Sequence, residues 1–195
     1  MELVNFFQQR HLSIDLLGET LNDCKQERLP KNYQLLVPGS YSKKIFFIKE
    51  GLARSYFFNK NGKDVTHCFY KENDAYAPIE SLFYNKPSRY GPELLENSTI
   101  YIFEYCKVFK YKDKAIEVNK GIWMTIINSL LVSSDWMDSK QLNSALVQYN
   151  DMLENHPDIL LRAPLGHIAS YLGITQQTLS VIRSKWHKYH ITKSL

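Results

Sequence analysis

The stretch PLGHIASYLGITQQTLSVIRSKW, Pro164 to Trp186, decides the fold. Pro164 suits a first helical turn, and Leu165, Ile168, Ala169 and Leu172 follow at the i, i+3, i+4, i+7 spacing that gathers apolar residues on one helix face. Gly173 supplies a left-handed turn, Ile174 a buried turn residue, and Thr175 an N-cap for a second helix. Leu179, Ile182 and Trp186 make the inward stripe of that second helix. Two short amphipathic helices joined by a glycine turn form a helix-turn-helix.

The second helix also has a readable outer face. At about 100° per residue, the direction opposite Leu179, Ile182 and Trp186 is centred on Gln177, Ser180, Val181, Ser184 and Lys188, with Gln176 at its N-terminal edge. Glutamine pairs bidentately with adenine in the major groove, serine donates or accepts, and valine meets a thymine methyl. Gln176, Gln177, Ser180 and Val181 are therefore candidate base-reading residues. Thr175, Arg183, Lys185 and Lys188 surround them as candidate phosphate contacts, which position a reader without reading sequence. Charge supports this placement. From Arg162 onward there are five basic residues (Arg162, Arg183, Lys185, Lys188, Lys193) and no acidic one, whereas the rest of the chain, with 19 basic against 20 acidic residues, is nearly neutral.

Upstream, His156-Pro157 ends a helical stretch, since proline disfavours helix in the residue before it. Between Ile116 and Leu153 there is no proline and Gly121 is the only glycine. Trp123, Ile127, Leu130 and Met137 recur near the helical period, which predicts one long helix or two with a break near Ser133-Ser134. From Tyr33 to about Tyr111 the pattern is short aromatic and β-branched runs: Tyr33 to Val37, Lys44 to Ile48, Leu52 to Phe58, Asp64 to Tyr70, Thr99 to Glu104 and Val108 to Tyr111. Asn59-Lys60-Asn61-Gly62 is a hairpin signal between two of them. The first thirty residues read as helical, with Leu12, Leu16, Leu17 and Leu21 in register and Ser13 as a cap. The expected fold is α+β: a β-roll over 1–112, a long helical segment over 113–155, and a helix-turn-helix domain over 156–195.

Composition excludes several classes. The 195 residues lack any apolar run near the roughly 20 residues of a membrane span, and the first residues lack a secretory pattern, so a cytoplasmic protein is expected. Cys24, Cys68 and Cys106 are odd in number and far apart, which argues against a disulfide framework, and a cysteine-ligated iron-sulfur cluster wants one more. No metal site is expected. His67-Cys68 on a strand points to two faces and reads as an outward histidine beside a packed cysteine, and His187 with His190 reads as polar surface. Glu93, Glu96 and Glu104 read as a solvated rim, and neither a nucleophile motif nor a phosphate loop occurs, so no enzymatic activity and no cofactor are expected.

The stretch Tyr149 to Ile182 resembles the DNA-binding end of Crp/Fnr-type transcription regulators, in particular a short Bacteroidetes-like branch. Glu50 to Tyr56, Asn61 to Thr66, Glu80 to Phe83 and Lys86-Pro87-Ser88 resemble the same family's cyclic-nucleotide-binding-like roll. The resemblance implies a ligand-sensing jelly roll, a dimerisation helix carrying Trp123, Ile127, Leu130 and Met137, and a C-terminal reader. It implies a homodimer on a palindromic double-stranded operator, with RNA polymerase and an unidentified small-molecule effector as further partners. In family members that bind cyclic AMP, a Gly-Glu pair holds the ribose and an arginine followed by a small residue grips the phosphate. Here Pro78-Ile79 stands at the first position, Arg89 at the phosphate arginine and Tyr90 at the small residue. Glu80 replaces the lost glutamate only with a register shift of one. The candidate ligand-pocket residues are therefore Glu80, Ser88 and Arg89, with no response to cyclic AMP expected. Val181 stands where the family's last base-reading position usually carries arginine, which shifts preference toward an A·T pair. Little room for C-terminal wing strands is expected after the reader. The rival expectation is a ligand-binding roll whose reader is vestigial and which acts through protein contacts.

Overall fold

In the computed structural model the described residues are 23–107, the helical positions Lys120, Trp123, Met124, Ile127, Leu130, Leu131, Ser134, Met137, Asp138 and Leu142, and 143–193, of which 185–193 are described by backbone only. Seven strands occur among these residues: β1 (Lys25–Leu29), β2 (Lys44–Glu50), β3 (Ala53–Phe58), β4 (Asp64–Tyr70), β5 (Ala75–Tyr76), β6 (Gly91–Leu94) and β7 (Ser98–Glu104). All pairs are antiparallel, in one sheet of order β1-β7-β2-β5 and another of order β4-β3-β6. A short helix, α1 (Ile79–Phe83), lies between β5 and β6. The fold is α+β.

Hydrophobic burial explains why the sheets face one another. Leu36, Phe46, Ile48, Ala53, Tyr76, Leu94 and Ile100 form the core of the roll. The β3–β4 turn forms where Asn59-Lys60-Asn61-Gly62 predicts it. Gly62 takes φ 74°, and the Asn59 side-chain oxygen accepts the amides of Asn61 at 2.9 Å and Lys63 at 3.1 Å. Gly51 is required for a different reason. At φ 117° it lies so close to Ser98 that an added Cβ would stand 2.1 Å from the hydroxyl oxygen.

Four helices follow these helical positions: α2 (Ala145–Asn155), α3 (Pro157–Arg162), α4 (Leu165–Leu172) and α5 (Gln176–Lys193). Ser144 caps α2 through the Val147 amide, and Tyr149 and Met152 of α2 join Ile159, Leu160, Ile168, Leu172 and Leu179 in one buried cluster. Packing therefore groups α2 with the helix-turn-helix. Leu52, Phe69 and Leu95 of the roll belong to the same cluster. The β4-β3-β6 sheet is thus covered on both faces, by the roll core and by the C-terminal helices.

Several expected elements differ from those observed. Lys25–Leu29 is a strand rather than the end of a helix, because full pairing with β7 outweighs its helix-favouring residues. Leu12, Leu16, Leu17, Leu21 and Ser13 lie outside the described residues, as does the run Val108 to Tyr111. Tyr33 to Val37 makes a single bridge, Gln34 to Glu93, rather than a strand. His67 is buried rather than outward, because that face of β4 is closed by Tyr90, whose ring stacks on the imidazole at 4.2 Å. Glu93 and Glu96 hold arginines rather than forming a free rim. Among the described residues no helix is long and apolar enough to cross a membrane.

Candidate nucleic-acid interface

The reader is built from local signals acting in series. Helix α4 buries Ile168, Ala169 and Leu172 and ends at Gly173, whose φ of 71° lets the amides of Gly173 and Ile174 turn back to the carbonyls of Ser170 and Ala169. Pro164 stands at the N-cap rather than inside the first turn. Thr175 then caps α5, its hydroxyl oxygen accepting the Thr178 amide at 3.1 Å. Leu179 is fully buried and Ile182 packs at the edge of the same cluster, which fixes the rotation of α5 about its axis.

That rotation exposes Gln176, Gln177, Ser180, Val181 and Ser184 together. Arg183 lies half-buried on the flank, and Thr175 is exposed at the N-terminus. The side chains of Lys185, Trp186, Lys188, His187 and His190 lie outside the described residues. Gln176 leans over α4: a Cβ on Gly166 would stand 2.5 Å from its amide nitrogen, so the small residue lets the two helix starts approach. His167, on the first turn of α4, has its pKa lowered by burial and then by the nearby Arg54 cation, both of which disfavour the charged imidazole.

Sequence reading missed what orients this unit on the roll. The Thr66 amide of β4 donates to the Ser170 hydroxyl of α4 at 3.0 Å, and Phe69 meets Tyr171 with ring centroids 5.3 Å apart. Arg162 of α3 donates from both terminal nitrogens to Glu72, at 3.0 and 2.8 Å, and reaches Glu96 at 2.6 Å. Lys71 meets Asp158 at 3.1 Å. Nearby, the buried Arg54 is satisfied by Glu93, Asp64 and Thr66, so its charge is paired on the sheet itself. The sequence separations across the roll–helix contacts, from 66 to 104 residues where the structure gives them, leave no local signal to read.

The roll contains a second candidate site, a cavity of about 320 Å³ lined by Ser55, His67, Tyr70, Tyr76, Glu80 and Tyr90 and bordered by the helical residues Leu130 and Met137. Of the three expected pocket residues only Glu80 lines it. Ser88 is buried, its hydroxyl engaged with the Tyr90 carbonyl at 2.8 Å and the Tyr76 hydroxyl at 3.1 Å. Arg89 is exposed, its guanidinium over the rings of Phe57 and Tyr90. The reason is Tyr90: its ring takes the inner position beside His67 and leaves Arg89 on the outside. Burial, and secondarily the Arg89 cation, hold His67 down to about 4. No lysine or arginine is among the described lining residues.

The layered roll, the helical positions beside it and the C-terminal helix-turn-helix recur together in known structures. FixK2 of Bradyrhizobium japonicum superposes with a TM-score of 0.75 at 17% identity, over 86% of each chain. The c-di-GMP responsive global regulator CLP of Xanthomonas campestris gives 0.73 at 10% identity, over 91% of this chain and 93% of that one. A CRP-family transcriptional regulator of Thermus thermophilus gives 0.64 at 13% identity, over 84% and 85%. The chain has the Crp/Fnr-type fold. No family model and no curated protein matches the sequence.

Proposed function

We propose that the chain is a sequence-specific DNA-binding transcription regulator of the Crp/Fnr type, cytoplasmic and non-enzymatic, working as a homodimer on a palindromic operator. The observation that carries this reading is the outer face of α5, where Gln176, Gln177, Ser180 and Val181 are exposed together above a buried Leu179. Four side chains able to address base edges, held on a helix whose rotation is fixed by its core, are what major-groove readout requires. Arg183, with Thr175 at the helix start, flanks that face and is assigned to phosphates, as are Lys185 and Lys188 further along the same helix. RNA polymerase is the proposed downstream partner.

A response to cyclic AMP is not part of the proposal. A cyclic phosphate carries a charge that needs a cation or several amides, whereas the described cavity lining is aromatic with one carboxylate and Arg89 is turned outward. An unidentified effector without such a phosphate suits the cavity better.

The test is selection from a random duplex pool at modest salt, with and without cyclic AMP. A palindromic consensus under both conditions is expected. Enrichment only with cyclic AMP overturns the cavity reading, and no enrichment under either favours a roll that acts through protein contacts. In the selected duplex, Arg183→Ala should weaken all sequences alike, whereas Gln177→Ala or Val181→Ala should change which sequence is preferred by about 1–3 kcal/mol per base.

A further inference from the structure

The β3–β4 hairpin stands beside the reader, and the reading of the chain as a regulator does not use it. A cleft of about 530 Å³ separates the two, lined by Lys63 and Asp64 on the hairpin and by Gly166, Ser170, Gln176 and Gln177 on the starts of α4 and α5. Strand β4 runs alongside α4, joined to it by the Thr66–Ser170 hydrogen bond. Its first residues lie across from Gly166, so the turn formed by Asn59 to Lys63 projects at the end of α4 where Gln176 and Gln177 also begin.

We infer that this hairpin is a second DNA-contacting element, in which Lys60 and Lys63 take phosphates of the strand that borders the groove read by α5. Three observations carry the inference, which rests on the regulator reading. First, the charge on the hairpin is one-sided. Lys60 and Lys63 are exposed and make no ion pair among the described residues, while the only carboxylate there, Asp64, is bound by the buried Arg54 at 2.7 Å. Second, the hairpin is stiff. Asn59 closes the turn with its side chain on the amides of Asn61 and Lys63, and the Asn59 amide donates to the Lys63 carbonyl at 2.9 Å. Cations on a preorganised turn lose less freedom on binding than the same cations on a loose loop. Third, the placement matches the target. A helix whose N-terminal residues enter the major groove, about 12 Å wide, has a phosphate strand beside its first turn, and the cleft lies at that turn.

The partner is therefore the sugar-phosphate backbone of a duplex, and its contribution is affinity without sequence choice. The experiment is fluorescence anisotropy of the full chain with the duplex selected by the wild type, across a salt series, comparing wild type with Lys60→Ala/Lys63→Ala and Lys60→Arg/Lys63→Arg. At about 0.1 M salt the alanine pair should bind on the order of tenfold more weakly or worse. Its plot of log affinity against log salt should be shallower by about 0.9 for each lysine lost from a bound protomer. The preferred sequence should not change, the arginine pair should bind as the wild type does, and thermal melting should be the same for all three. Unchanged affinity and slope in the alanine pair overturn the inference while leaving the regulator reading intact. Tighter binding also overturns it, since the hairpin would then shield the reader. A wild type that binds no duplex removes the regulator reading and the hairpin contact together.

Discussion

At the residue scale, the sharpest conflict between chemistry and surroundings is an imidazole enclosed by tyrosines. His67 is 7% exposed, stacked on Tyr90, with its Nδ1 3.4 Å from the Ser55 hydroxyl. Burial, then the Arg89 cation, holds its pKa down to about 4 against an ordinary 6.5. The unfolded chain takes up the proton near pH 6.5 and the folded chain only near 4, so the unfolded state binds more protons between these values and gains from acid. His67 costs no stability above about pH 7, and its cost grows as pH falls from 6.5 to 4, reaching on the order of 3 kcal/mol at full titration. His67→Phe, which keeps an aromatic ring against Tyr90 and cannot titrate, should flatten that part of the curve. Urea unfolding at a series of pH values reads this directly, and equal slopes for the two proteins would show that the imidazole is solvated after all.

At the scale of elements, legibility follows the range of the forces involved. Helices α4 and α5 were readable because their cap, glycine turn and inward stripe all lie within a dozen neighbouring residues or so, and Thr175 caps as its position predicts. Strands β2, β4 and β7 were readable from their β-branched and aromatic runs. Strand β1 was not, since KQERL carries a helix former's composition and becomes a strand only through its partner β7. Strand β6 contains Pro92, and β5 has two residues, so neither carries a local strand signal. The outer face of α5 is legible for the same reason as its helix, whereas the burial of Ser88 and the outward position of Arg89 depend on where Tyr90 packs, a tertiary event. The contact between α3 and the turns of the roll is tertiary in the same way. Burial alone would raise the Glu72 carboxyl, yet the Arg162 hydrogen bonds and the Gly51 amide hold it down to about 2. The stabilisation from Glu72 is therefore complete above its ordinary range near 4.5 and is lost as pH falls toward 2. Arg162→Ala should destabilise the chain by about 1–2 kcal/mol near neutral pH, because a two-carboxylate fork exceeds a lone surface pair. Part of that loss should vanish in a Glu72→Gln/Glu96→Gln background, which a double-mutant cycle by urea unfolding measures.

At the scale of the whole molecule, the helical positions from Trp123 to Leu142 pose a question that one chain does not answer. Trp123, Ile127, Leu130, Met137 and Leu142 are all exposed, Leu130 at 55% and Leu142 at 81%, although Trp123 stacks on Phe83 of the roll and Leu130 and Met137 border its cavity. An apolar series of this extent is stable in water when a partner covers it, and the proposed homodimer supplies that cover with a second copy of the same stripe. Two readers joined in this way hold the second half-site at high effective concentration, so the affinity for a palindrome exceeds that for a half-site by a large factor. Leu130→Asp places a charge in the middle of the stripe without touching α4 or α5. It should convert the dimer to monomer in sedimentation and weaken palindrome binding on the order of 100-fold or more, while half-site binding stays as in the wild type. A Leu130→Asp protein that remains dimeric and binds the palindrome at full strength would place the pairing surface elsewhere on the molecule.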